Sequence, residues 1–465
     1  MLLSKNKEIL TFKNYLFRLD KVVSDTNYYR CINQDIFKCP VRLAKKNDKI
    51  KDNKEIHNHP ENPIEMETKK IINSIKNEAL NNTMETPNFI VAKHVSQLSD
   101  SISMALPSPN LMKRIIHRTR SSNSFAPPNP SSLIELVIPH EYSITDKYEN
   151  FMLHDDGPVP DRVIIFGTRK NLDFLASCEH WFSDGTFKSS PPLFTQIYTI
   201  HGIRNNNVLP LIYILTNRKD YETYKRIFTI IGDNFISTPK KIMTDFEMAS
   251  VKAFNEVFPN SQHKCCYFHF GQSFWRNIQK YPEISHKYKT DVEFNIQLRM
   301  MVCLAFVPPL NVVKTFELLI NSEFYSNNQL LLQPLIETFE KAYIGKTFGR
   351  GRLPALFNIE LWNCYQSTLN GEAKTNNAVE GWHRCFSSLL TSYHPNMWKF
   401  ISSLKKQQGL TELKIAQYYS GETPSTPRKK YRNLHARLVT IVSDFENRSR
   451  LDHLKGIAIN ITLNV

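Results

Sequence analysis

The sequence predicts a mixed α/β core carrying a helical insertion, with a small β-rich module in front and helices behind. Three observations carry that prediction. From about Leu133 to Phe270, runs of aromatic and β-branched residues alternate with stretches whose apolar residues recur every three to four positions. From Gly271 to Asn370, and again after Asn396, the clear signal is helical periodicity. Residues 1–62 hold short β-type runs separated by turn formers.

In that first module, NYLFRL and YYRCI read as strands and SDTN and NQD as turns. Cys31, Cys39, His57 and His59 are its candidate metal ligands. On an extended strand, side chains at i and i+2 point the same way, so both imidazoles of His57-Asn58-His59 can reach one ion. With Cys31 and Cys39 on two hairpin strands, the four close a tetrahedral zinc site. The spacing C-x7-C-x17-H-x-H is not that of a ββα finger. Two buried cysteines beside a surface HNHP turn is the other reading.

Residues 63–130 change character. Ile64–Asn81 reads as a helix with Ile64, Ile71, Ile75 and Leu80 loosely on one side. A second helix follows Pro87, with Phe89, Val91 and Val95. A third starts at Ser108-Pro109, an N-cap followed by proline at the first helical position. It carries Lys113, Arg114, Arg118 and Arg120, so the segment reads either as a helix-turn-helix-like DNA-binding unit or as a linker with a solvated basic face. SSNSFAPPNPSS marks a boundary.

The core begins at about residue 131. RVIIFGT is a strand and NLDFLASC a short helix. WFSDGTFKSSPPLFTQIYTIH reads as a strand ending near Asp184, a turn at Gly185 and a second strand from Leu193. VLPLIYILT is the next strand, and Asp220 N-caps a helix with Tyr221, Tyr224, Phe228 and Ile231 on one face. KKIMTDFE gives a strand ending at Asp245, a helix with Val251, Phe254 and Phe258 follows, and HKCCYFHF reads as one more strand. The order β-β-β-α-β-α-β is that of the RNase H-like fold.

A helical insertion is expected over residues 271–370, with buried faces at Phe294, Leu298, Met301 and Val302 and at Val312, Phe316 and Leu319. FGRGRLP within it is either a phosphate-contacting loop or a plain solvated one. Residues 371–395 complete the core with a helix bearing Glu380, and His383 and Arg384 lie one turn on as candidate DNA contacts. Residues 396–465 form helices, with Met397, Phe400, Ile401 and Leu404 on one face, and Tyr431, Leu434, Leu438, Ile441 and Phe445 on another. PRKKYR between them reads as a phosphate patch or a nuclear import signal.

Singly, Asp184 reads as a turn residue, Asp245 as an N-cap, and Glu380 as the third residue of a capping box after Asn376-Asn377. Jointly, two strand-end aspartates and a helix-borne glutamate can hold two oxygen-ligated ions, which suits Mg²⁺ or Mn²⁺ and phosphodiester chemistry.

The first module resembles the FLYWCH zinc finger, with its C…C…HxH order and HNHP ending; Tyr29 stands where that family usually has Trp. The resemblance implies that Cys31, Cys39, His57 and His59 bind Zn²⁺. From about Arg162 to Ala458 the chain resembles the Mutator-like element (MULE) transposase superfamily. The phrases are DGTFK, FTQIYTIHG, MTDFE, CYFHF, the LAFVPP run, WNCY, TNNAVEGWH and HPNMWKFI. The resemblance implies catalytic roles for Asp184, Asp245 and Glu380. It also places the family's Cys-x2-His on Cys266 and His269, whose role, structural or metal-binding, it leaves open. The first two acids are 61 residues apart and the next gap is 135, which leaves room for the insertion. The Cys-rich SWIM finger common in that family is not present, since no Cys follows Cys385.

Composition agrees with a nucleic-acid protein. The net charge is +15 and hydrophobic residues make up 41%, so a polyanionic partner is favoured over a membrane, with a merely solvated basic surface as the other reading. The longest apolar run, MMVCLAFVPPL, is too short to span a bilayer. Eight irregularly spaced cysteines and a start without a signal-peptide core predict an intracellular protein with reduced thiols. The expected function is a nuclear DNA transposase, a homo-oligomer on DNA, that binds transposon terminal repeats and target DNA and cuts and joins strands. A transposase-derived DNA-binding regulator is the second reading and a metal-dependent nuclease the third.

Overall fold

The computed structural model describes the chain except residues 1, 5–6, 48, 83–84, 123–125, 205–206, 234–237, 350, 391–392, 423–427 and 464–465. Residues 123–125 of the predicted boundary, Arg350 of the basic loop and Pro427 of PRKKYR thus lie outside the described residues. The chain divides into two compact units, Met1–Pro127 and Pro128–Val465.

The first unit opens with an antiparallel meander of six strands: β1 (Leu2–Ser4), β2 (Lys7–Phe12), β3 (Tyr15–Val23), β4 (Thr26–Cys31), β5 (Arg42–Lys46) and β6 (Lys49–Asp52). Lys13 and Asn14, both at positive φ, make the tight turn between β2 and β3 that matches strand twist. Leu10, Phe17, Tyr29, Val41 and Leu43 form its small core around Cys31 and Cys39. Four helices follow where three were expected: Pro63–Asn81, Pro87–Val95, Asp100–Ala105 and Pro109–Ser122. The extra one has six residues, too few to show a period. Asn62, Thr86 and Ser108 accept N-terminal amides as caps.

Ile75, Ala79, Ile90, Val91, Met112 and Ile116 make the helical core. Ile64, Leu80 and Phe89, expected inside, are exposed. Met66 rather than Ile64 meets Ile9 and Leu16, and Leu80 is turned about 100° from Ala79 on the helix.

The second unit is built on a mixed sheet of β7 (Met152–Asp155), β8 (Val163–Phe166), β9 (His180–Thr186), β10 (Gln196–Arg204), β11 (Asn207–Thr216), β12 (Lys241–Thr244) and β13 (Gln262–Cys265). Their order across the sheet is β13-β12-β9-β10-β11-β8-β7. The β12–β9 and β12–β13 pairs are parallel and the other pairs antiparallel.

Two expectations change here. β9 does not turn at Gly185: it runs to Thr186, with Asp184 paired to Thr199, and β10 starts at Gln196. A Cβ at Gly185 would come within 2.4 Å of Gln196 Oε1, so this glycine serves close cross-strand packing instead of a turn. HKCCYFHF is not one strand: β13 stops at Cys265 and a helix, Tyr267–Gln279, begins.

One sheet face is covered by the helices Arg169–Ala176, Tyr221–Gly232 and Met248–Val257, whose Leu172, Tyr224, Phe228 and Phe254 share a core with Ile200 and Ile214. The helix Asn377–Leu390 crosses other sheet positions, with Val379 on Phe182 and Met243, and Trp382 against His201 and Tyr213. A single large apolar core runs through the helices from Phe270 to Phe357 and takes in Leu438, Val442, Leu454 and Ile457 from the C-terminal region. The helix Met397–Tyr419 instead reaches the sheet, where Thr411 lies 3.5 Å from the Tyr213 hydroxyl, and its Gln408 bonds Asn171 of the Arg169–Ala176 helix. Tyr431 is exposed, unlike Leu438 and Phe445 on the same predicted face. Among the described residues, no helix is long and apolar enough to cross a membrane.

Candidate active site and metal centre

Strand β4 ends at Cys31, and Cys39 follows the short helix Gln34–Phe37. His57 and His59 lie in an irregular bend, not on the extended strand expected for them. Cys31 Sγ is 3.2 Å from His59 Nε2, Cys39 Sγ is 3.3 Å from His57 Nδ1, and the two ring nitrogens are 3.2 Å apart. Bonds of about 2.3 Å to sulfur and 2.0 Å to nitrogen at tetrahedral angles require edges of roughly 3.3–3.5 Å, so the donor set fits zinc. His59 Nδ1 lies 3.1 Å from the Pro60 carbonyl oxygen, a contact that fixes the proton there and leaves Nε2 as the ligand. Tyr15 stacks on His57 at 3.5 Å, holding the ring in place. Burial, chiefly, pushes the Cys31 thiol up to about 11. Among the described residues, these four are the group of His, Cys, Asp and Glu whose ligand atoms all lie within 4.8 Å of one another.

The second constellation is looser and carboxylate-rich. Asp184 is presented by β9, Asp245 follows the last residue of β12, and Glu380 sits in the first turn of the Asn377–Leu390 helix. Asp184 is pushed up to about 8, first by burial and then by the charges of Asp245 and Glu380. Burial also raises Asp245, against the pull of Lys219. Asp184 therefore feels the charges of both other acids from a buried position. The single-residue readings do not hold: Glu247, not Asp245, is at the helix N-cap, and the side-chain amide of Asn376 caps nothing.

Two histidines flank the acids. His383 Nε2 is 3.8 Å from Asp184 Oδ2, and His269 Nε2 is 3.5 Å from Glu380 Oε1. Both ring nitrogens of His383, Nδ1 of His269, Glu380 Oε1 and the side-chain amide of Asn376 are buried without a hydrogen bond. Burial pushes His383 down to about 4 and lowers His269 as well. Buried unpaired polar atoms beside these carboxylates are suited to taking up cations and polar ligands.

Lys219 and Glu247 belong to the site and escaped the sequence reading. Lys219 Nζ lies 3.0 Å from Glu247 Oε2, opposes the charge of Asp184 and Asp245, and sits over the exposed Phe187 ring at 4.7 Å. Glu247 was visible in MTDFE, but nothing in the spacing of Lys219 pointed here.

The remaining candidates divide. Arg114 and Arg118 are exposed and Lys113 half-buried. Arg120 donates to the carbonyls of Ala79, Asn82 and Glu85, so it ties its helix to the end of another. His383 is buried beside Asp184, while Arg384 is exposed. Arg352 of the basic loop pairs with Glu317 and Glu340.

Residues 180–273 match the MULE transposase domain. Residues 3–59 match the FLYWCH zinc finger domain. The MULE segment contains Asp184, Asp245, Cys266 and His269, and Glu380 lies beyond it. The FLYWCH segment contains the Cys31, Cys39, His57 and His59 cluster. No curated protein matches the chain. The MULE transposase domain supports a transposase-type function, and together with the zinc finger domain it points to DNA binding.

Proposed function

We propose that this chain is a DNA transposase of the Mutator-like type, with Asp184, Asp245 and Glu380 as its catalytic acids. The observation that carries the reading is that Asp184, buried on β9, feels the charges of the sequence-distant Asp245 and Glu380, two of the three acids lying inside the MULE segment and Glu380 beyond it. The core is of the RNase H-like type: three antiparallel strands, β9 to β11, followed by β12 and β13 added in parallel on the β9 side, support it.

Asp184, Asp245 and Glu380 would hold Mg²⁺ or Mn²⁺, which stabilise charge on the attacking and leaving oxygens of a phosphodiester. The chain's own residues prepare that step. Lys219 opposes the charge of Asp184 and Asp245, and a bound cation would favour the ionised form of Asp184 that burial and its acidic neighbours otherwise disfavour. His383 stands 3.8 Å from Asp184 and His269 3.5 Å from Glu380, beside the acids without a hydrogen bond to them. Water is the nucleophile in cleavage and a freed 3′-OH in joining. The FLYWCH module, with zinc on Cys31, Cys39, His57 and His59, recognises terminal repeats, and Lys113, Arg114 and Arg118 grip phosphate, as does Arg384. The protein acts in the nucleus as a homo-oligomer on transposon ends and target DNA.

The test is a strand-transfer assay on DNA carrying the repeats that flank the gene. Mg²⁺-dependent nicking and joined products support a transposase. Nicking without joined products favours a nuclease. Specific binding with neither favours a DNA-binding regulator.

A further inference from the structure

We infer that Cys266 and His269 form a clasp that positions Glu380 against the strand end beside Asp245. The inference rests on the acid-triad reading and assigns the Cys-x2-His pair a mechanical task.

The path is short and continuous. Thr244, the residue before Asp245, accepts a hydrogen bond from the Cys266 amide at 2.8 Å. The next amide, Tyr267, donates to the Lys374 carbonyl at 2.9 Å. The Asn376 amide donates to Cys266 Sγ at 3.4 Å, immediately before the Asn377–Leu390 helix begins. One turn along each helix, His269 Nε2 faces Glu380 Oε1 at 3.5 Å, a contact without hydrogen-bond geometry. The two-residue spacer is what the geometry requires. It puts Cys266 at the N-cap position of the Tyr267–Gln279 helix and His269 in its first turn, so one residue holds the entry of the Glu380 helix and the other stands against its carboxylate.

Zinc is a poor occupant of this pair. Cys266 is fully buried among Phe182, Met243 and Val379, and no third or fourth soft ligand joins it among the described residues. The sulfur acts as a hydrogen-bond acceptor in an apolar seat, which an oxygen can imitate and a methyl group cannot.

The experiment uses the full-length chain with two readouts: amide hydrogen exchange over residues 374–382, and Mn²⁺ binding by titration calorimetry. Cys266→Ala is expected to speed exchange in those peptides, and Cys266→Ser to restore protection. His269→Ala is expected to weaken Mn²⁺ binding about tenfold without lowering Tm, since groups that orient metal-binding carboxylates typically carry effects of that size. His269→Gln, which can still present an N–H to Glu380, should recover most of it. Unchanged exchange in Cys266→Ala, or unchanged Mn²⁺ affinity in His269→Ala, with Mn²⁺ binding still lost in Asp184→Asn, would overturn the clasp and leave the acid triad standing. Mn²⁺ binding indifferent to Asp184→Asn would instead overturn the triad, and the exchange data alone would then decide whether Cys266 holds the helix. Should Cys266→Ala fail to fold, the His269 pair decides the inference.

Discussion

His383 Nε2 stands 3.8 Å from Asp184 Oδ2, yet the two do not form an ion pair near neutral pH in the cation-free protein. Burial, with the charges of Asp245 and Glu380, lifts Asp184 to about 8, and burial drops His383 to about 4. Both groups are therefore neutral between those limits.

A pH dependence follows, and its sign can be worked out for each group. Asp184 has a folded pKa above its ordinary 3.8, so the stability tied to its protonated form declines as pH rises from about 4 to about 8. His383 has a folded pKa below its ordinary 6.5, so its contribution declines as pH falls from 6.5 to about 4. The two slopes oppose each other below 6.5, and Asp184 acts alone above it. Thermal melts in EDTA should show Tm falling between pH 6.5 and 8, and Asp184→Asn should flatten that fall. A wild-type curve that is flat or rising in this window would contradict the assignment.

Zinc should be present at one atom per chain and depend on the Cys/His cluster. Cys31→Ser and His59→Ala should each lower the zinc content measured by elemental analysis of the purified full-length protein. Circular dichroism should show strand signal lost from the N-terminal module, because metal binding there supplies folding free energy. Full zinc content in both variants would place the metal elsewhere.

The basic helix should separate into contacts and structure. DNA affinity should fall steeply with salt, with each phosphate contact contributing roughly 0.9 to the slope of log K against log salt. Replacing Lys113, Arg114 and Arg118 together by Ala should flatten the slope while Tm stays. Arg120→Ala should lower Tm of the N-terminal unit, because three carbonyls lose their donor. Identical behaviour of the two variants would remove the distinction.

Trp382 should matter for the site without touching the acids' chemistry. It packs against His201 and Tyr213 and stacks on Phe386. Trp382→Ala should cost about 3–5 kcal/mol, typical for a large aromatic removed from a packed seat. It should also loosen the helix carrying Glu380. Chemical denaturation measures the first effect and Mn²⁺ affinity the second.

Much of this architecture was legible in the sequence because the signals were local. Strand VLPLIYILT and the Asp220 cap were visible from periodicity and capping chemistry, and both are present. The Asp184 turn was misjudged because Gly185 looks the same whether it bends a strand or lets Gln196 approach across it. HKCCYFHF was misread because four aromatic or cysteine residues in a row suit a strand and a buried helix start equally. Lys219 and the His269–Glu380 contact depend on which elements the sheet brings together, which spacing along the chain does not encode. Arg120 looked like a DNA contact because its three carbonyl partners lie 35 to 41 residues away.

The central claim is that Asp184, Asp245 and Glu380 act together on DNA. The most direct measurement is cleavage of flanking-repeat DNA in Mg²⁺ by wild type, Asp184→Asn, Asp245→Asn and Glu380→Gln, with DNA affinity measured alongside. The account predicts that wild type nicks the DNA, that each variant loses nicking by several orders of magnitude, and that affinity stays within about threefold, roughly 0.7 kcal/mol. Undiminished nicking in any one of the three variants would contradict it.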